Sequence, residues 1–155
     1  MPLNPELLLK PMISWFSYHQ SVALNNGVKL KQPEKDLALS IGCDRPDKIR
    51  IVHCNDMPTV KSQALLAAFT QYEFNLGDAT GLCLGYGIFI HRSQKGDGRI
   101  LAHELTHTLQ YERFGGTSGF LNEYISQFLK FGYHQMPLEK EARANEKMGA
   151  QLIRI

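Results

Sequence analysis

Apolar residues recur at helical spacing through most of the chain. From Pro5 to Leu24, Leu8, Leu9, Met12, Ile13, Trp15, Phe16 and Val22 form such a face, with Pro11 expected to kink or restart the helix. Trp15 and its neighbours read as core. Asn25-Asn26-Gly27 reads as a turn, and Pro33–Ile41 as a short helix with proline near its first turn and Gly42 after its last. Ser62–Phe69, rich in Ala and Leu, reads as another. Ile100, Leu101, Leu105 and Leu109 stripe a helix that Asp97 can cap and Gly115-Gly116 can stop. Phe120, Leu121, Tyr124, Ile125, Phe128 and Leu129 predict a strongly apolar helix closed by Gly132, and Pro137 opens the last helix.

Period-two alternation is confined to two places. Ile49–Cys54 reads as a β-strand, with His53 near its end either structural or facing a cleft. Gly81–Ile90 reads as a second, with Tyr86, Ile88 and Ile90 on one side and Gly85, Gly87 and Phe89 on the other. Its glycines would let another backbone approach, which predicts an edge strand whose Gly85, Tyr86, Gly87 and Ile88 pair with an extended peptide. The alternative is a glycine-rich hairpin with no ligand. The expected fold is α+β, mostly helical, with a small sheet whose edge strand precedes the helix around Leu105. One domain spans residues 1–155.

Composition narrows the function without choosing it. The 155 residues are 43% hydrophobic and 21% charged, with a net charge of +2, ordinary for a globular domain. Basic and acidic residues are interspersed, so neither nucleic acid nor an anionic membrane is an expected partner. Three widely spaced cysteines, Cys43, Cys54 and Cys83, argue against a disulfide framework and for a reducing compartment. The first residues carry no charged, apolar leader, so a cytoplasmic location is expected, with export by a specialised machine left open. No pattern specifies an oligomeric state.

The chemistry gathers on His103-Glu104-Leu105-Thr106-His107. Two imidazoles four residues apart share one helix face and can reach a single zinc ion. Glu104 falls on the neighbouring flank, where it can act as general base on a metal-activated water without being a ligand. No other charged residue lies between Ile100 and Tyr111, so this helix can be buried beneath a site. A hydrolytic zinc site wants a third protein ligand. One helix lies between His107 and Pro137, so an antiparallel return would bring the first turn of the last helix back to the histidines. Glu139 and Glu141 are both available there, but stand about 200° apart around a helix, so only one can face the metal.

His-Glu-Leu-Thr-His-Thr-Leu-Gln followed by Pro-Leu-Glu-Lys-Glu-Ala-Arg resembles the gluzincin metallopeptidases, especially small bacterial zincin domains, over roughly residues 81–145. The resemblance implies a zincin-like fold, one zinc ion held by two His and one Glu, and hydrolysis of a peptide or protein substrate. It assigns the ligand role to Glu139. The chain departs from the pattern at Arg143, a donor where an acceptor should orient a ligand histidine. Glu141, followed four residues on by Asn145, is therefore the alternative ligand. Tyr133, His134 and Tyr111 are candidates to stabilise the oxyanion. Gly81–Gly85 also resembles the cysteine segment of peptide deformylases, which would make Cys83 the third ligand. Two rival readings are a non-catalytic zinc module that binds peptide or protein, and a zinc-free domain with buried histidines.

Overall fold

The computed structural model describes residues 5–71 and 79–153. The helices are α1 (Pro5–Asn26), α2 (Gln32–Ile41), α3 (Gln63–Gln71), α4 (Gly98–Arg113), α5 (Thr117–Phe131), α6 (Pro137–Ala144) and α7 (Glu146–Leu152). The strands are β1 (Val28–Lys29), β2 (Arg50–Cys54), β3 (Gly81–Leu84) and β4 (Gly87–His91). The protein is α+β, with the strands in one mixed sheet of order β1-β2-β4-β3. β2 and β4 run parallel, and the two outer pairs are antiparallel.

The sheet lies between two helices. Gly87 faces Ala23 and Gln20 of α1, and Phe89 lies near His19 of the same helix. Gly81 and Cys83 face Ile100, Glu104 and Thr108 of α4. Gly81 and Cys83 sit opposite Ile90 and Ile88, so they share the sheet face that Gly87 and Phe89 do not. Leu37, Ile49, Leu84, Ile88, Leu105, Leu121 and Met136 are fully buried in the one core. All three cysteines are free thiols. Among the described residues, no helix is long and apolar enough to cross a membrane.

Most boundaries follow the local signals, but α1 runs on through Asn25 and Asn26, where a turn is expected, and three further departures stand out. Pro11 lies inside α1, which does not restart there. It is exposed, so the Leu7 carbonyl it leaves without an intrahelical donor lies on the solvent side. The final helix is two, divided at Asn145.

The third departure is a correction. Gly81–Ile90 is the glycine-rich hairpin of the alternative reading rather than one edge strand. Gly85, at φ 69°, and Tyr86 form its turn. The Gly85 carbonyl accepts from the Thr108 hydroxyl at 2.8 Å, and the Tyr86 amide donates to Gln20 at 3.0 Å. Gly87 and Ile88 are paired on both sides, to Arg50 and Ile51 of β2 and to Leu84 and Cys83 of β3. The segment Gly85, Tyr86, Gly87, Ile88 is therefore no peptide-binding edge. One positive-φ glycine folded the period-two run back on itself. The edge beside α4 is β3.

Candidate metal centre

α4 carries the histidines. Asp97 caps it by accepting from the amides of Arg99 and Ile100, at 2.8 and 3.3 Å. Leu101, Ala102, Glu104, Leu105, Thr106, His107, Thr108, Gln110 and Tyr111 are all buried, as the uncharged run predicts. α5 carries the chain away and α6 returns it. Gly132 at φ 77° ends α5, and Pro137 starts α6 with Glu139 in its first turn. One ligand atom each from His103, His107 and Glu139 lies within 4.8 Å of the others, close enough to bind a metal ion. Glu139 is 2% exposed, with Oε1 3.0 Å from His103 Nε2 and Oε2 3.0 Å from His107 Nε2.

Hydrogen-bond accounting decides which ring nitrogens face this point. Gln110 Nε2 donates to the Leu138 carbonyl and to Glu141 Oε1, both acceptors. Its Oε1 therefore faces His107 Nδ1 at 2.8 Å, and that nitrogen must carry the proton. Glu146 Oε2 lies 3.0 Å from His103 Nδ1, and a carboxylate is acceptor-only, so the same holds there. Both Nε2 lone pairs are left pointing at the Glu139 carboxylate. Two lone pairs each 3.0 Å from a carboxylate oxygen are repelled by it unless a cation lies among them, so the donor set fits a metal ion.

Protons are the other cation that can meet this demand, and the acid–base behaviour shows the pull. Burial works against a charged His103, but the Glu139 bond and the charges of Glu104 and Glu139 outweigh it and raise its pKa to about 9. The same contest raises His107. Burial would raise Glu139, yet its bonds to the two histidines hold it well below the carboxylate range. Tyr124 also donates to Glu139 Oε2 at 2.8 Å.

Glu104 is buried beside this cluster, and burial pushes its pKa up against the opposing pull of His107 and His103. Its place depends on Gly81. A Cβ there would stand 3.0 Å from Ile100 Cγ2 and 3.1 Å from both Glu104 Cγ and Oε1.

The remaining candidates separate by geometry. Glu141 is turned away from the metal point; it pairs with Arg113 at 2.7 Å and orients Gln110, so it is not the alternative ligand. The half-turn between Glu139 and Glu141 sends them to opposite partners. Asn145 donates to Thr106 Oγ1 rather than accepting from a ligand histidine, a role taken by Glu146 and Gln110. Cys83 is no third ligand either. Its thiol is buried against Thr108 Oγ1 and the Gly85 carbonyl, and burial raises its pKa well above the ordinary range. Tyr111 is committed to structure: its hydroxyl donates to the Cys83 carbonyl, and its ring stacks on Phe120 at 3.9 Å. His134 is exposed, and its carbonyl accepts from Arg143. Tyr133 is exposed in the turn before α6, its ring 5.5 Å from that of His134. His53 is half-buried on β2, outside the cluster.

Sequence reasoning missed Glu146, Tyr124 and Gln110. Gln110 was within reach, three residues from His107 on the same helix face. For Glu146 the signal was a row of small residues four apart on α4, Gly98, Ala102 and Thr106, matched by Gly149. A Cβ on Gly149 would stand 1.9 Å from the Gly98 carbonyl and 2.6 Å from Ala102 Cβ. That close crossing brings α7, and Glu146 with it, against His103. Comparison of the chain with family models, curated proteins and solved structures gives no match.

Proposed function

We propose that this protein is a zinc-dependent peptidase with a small zincin-like fold. The observation that carries the reading is the convergence of two imidazole lone pairs and a buried carboxylate, with both Nδ1 positions already claimed and a second buried carboxylate, Glu104, alongside. A bound zinc ion would supply Lewis-acid activation of a water and of the scissile carbonyl. Glu104, its pKa raised by burial, takes the proton of the attacking water and hands it to the leaving nitrogen. Of the three oxyanion candidates, Tyr111 is committed to the Cys83 carbonyl, which leaves Tyr133 and His134, both exposed in the turn before the Glu139 helix.

The substrate strand runs along β3. Thr80 bonds to His91, and hydrogen-bonded pairs alternate along an antiparallel hairpin, so Gly81 and Cys83 turn their backbone groups outward. The Cys83 carbonyl is taken by Tyr111, and Gly81 lies against Glu104. An extended peptide pairing at Gly81 meets the general base directly.

Protein purified without a histidine tag should hold one zinc per chain and lose it on His103→Ala or His107→Ala. Glu104→Gln should keep the zinc, because this side chain is no ligand, and lower cleavage of a peptide library by at least ~10²-fold. Cleavage that survives intact in the Gln variant would remove Glu104 as base. Zinc binding without cleavage by wild type would make the protein a peptide-binding module instead.

A further inference from the structure

We propose that Glu146 is a positioning residue for His103, and that α7 is docked on α4 to deliver it. The inference rests on the metal reading above. A ligand histidine needs an acceptor on its outer nitrogen, which fixes the tautomer, holds the ring plane and raises the basicity of the metal-facing nitrogen. α6, the helix that bears Glu139, offers His103 no such group. Four residues after Glu139 stands Arg143, a donor already spent on the His134 carbonyl. The acceptor comes instead from the next helix, where Glu146 Oε2 lies 3.0 Å from His103 Nδ1.

Two contacts hold Glu146 there, one on each side of it in sequence. Asn145, at the junction of α6 and α7, donates to Thr106 Oγ1 at 3.0 Å. Thr106 in turn donates to the Ala102 carbonyl at 2.7 Å. Three residues beyond Glu146, Gly149 packs directly on the Gly98 backbone, where no side chain would fit on either glycine. The first turn of α7 is thus pinned along Gly98, Ala102 and Thr106, one position from His103 on α4.

His107 supplies an internal comparison. Its Nδ1 is held by Gln110, a neutral amide oxygen, at 2.8 Å. An acceptor oxygen, with or without full charge, is therefore enough to orient a ring in this site. That separates the role of Glu146 as a positioning group from a bulk electrostatic one, and it sets the test.

Zinc affinity of the full chain would be measured by competition with a chromophoric chelator for wild type, Glu146→Ala and Glu146→Gln. Glu146→Ala should bind zinc 10- to 100-fold more weakly, about the cost of losing such a partner. Glu146→Gln should recover most of that loss, since its amide oxygen accepts from Nδ1 as Gln110 does. Thermal midpoints of the metal-free forms, read alongside, should show all three folded. Equal affinity in wild type and Glu146→Ala would overturn the proposal while leaving the metal reading intact. A Gln variant as weak as the Ala variant would overturn it too. Wild type that binds no zinc would sink both.

Discussion

Glu139 and Glu141 are two residues apart on one short helix and have opposite fates. Glu139 is enclosed by His103, His107 and Tyr124, and its charge is stabilised by groups that cannot rearrange toward water. Glu141 sits at the rim, where Arg113 first and then Gln110 keep its pKa low. Glu139→Ala should abolish stoichiometric zinc binding. Glu141→Ala should weaken it only a few-fold, by loosening Gln110 behind His107; outer partners at their weaker end contribute about 10-fold. The lost Arg113 pair is partly exposed and is worth at most about 1 kcal/mol of stability. Calorimetric titration of both variants with zinc would decide it. Equal, complete loss in the two would put Glu141 on the metal.

Among the elements, α4 does the most. One face carries His103 and His107, and another carries Gly98, Ala102 and Thr106, against which α7 lies. A third meets the hairpin through Thr108 and Tyr111. Helix–helix distance on the α7 side is set by the absence of two Cβ atoms, so it can be changed without touching a ligand. Gly149→Ala would place a carbon 1.9 Å from a backbone oxygen, and α7 must back away. Overpacking of this kind costs about 1–3 kcal/mol, read as a lower thermal midpoint of the metal-free protein. Zinc affinity should fall with it, by at least ~10-fold, because Glu146 withdraws from His103. A lower midpoint with unchanged affinity would show that α7 stabilises the fold without serving the site.

At the scale of the whole molecule, the proposed metal site predicts that above pH 6.5 stability and metal affinity change in opposite directions. In the metal-free protein His103 is raised from 6.5 to about 9, so it binds its proton more tightly folded than unfolded. Its contribution is fully present below 6.5 and is lost as pH rises through about 9. Glu139 is depressed from 4.5, so its contribution is present above that value and lost as pH falls below it. The metal-free midpoint should therefore decline on both sides of a window from 4.5 to 6.5. A zinc ion held as proposed would have to displace the same imidazole protons, so its affinity should climb as pH rises from 6.5 towards 9. Midpoints recorded in chelator, beside zinc titrations across that range, test both trends. An affinity that stays flat there would mean that zinc is not displacing protons from these rings.

What the chain order determined by itself is local. The caps and stops of α2, α4 and α5 at Gly42, Asp97 and Gly132 were legible because each is settled within one turn of backbone. The sharing of one helix face by His103 and His107 was legible for the same reason. Spacing could show that Glu139 and Glu141 cannot both face a metal, but not which of them does; the resemblance singled out Glu139, and the packing of α6 on α4 decides it. Edge strand and hairpin both stayed open at Gly85 because alternation survives a two-residue turn, and the pairing of β3 with β4 decides for the hairpin. Tyr124 reaches Glu139 from α5 and Glu146 reaches His103 from α7, contacts that no spacing within one element carries; the row of small residues on α4 was the one hint of α7. Periodicity tells which residues share a face. Which faces meet depends on the closeness two backbones can reach, and here the contact of Gly98 with Gly149 set it.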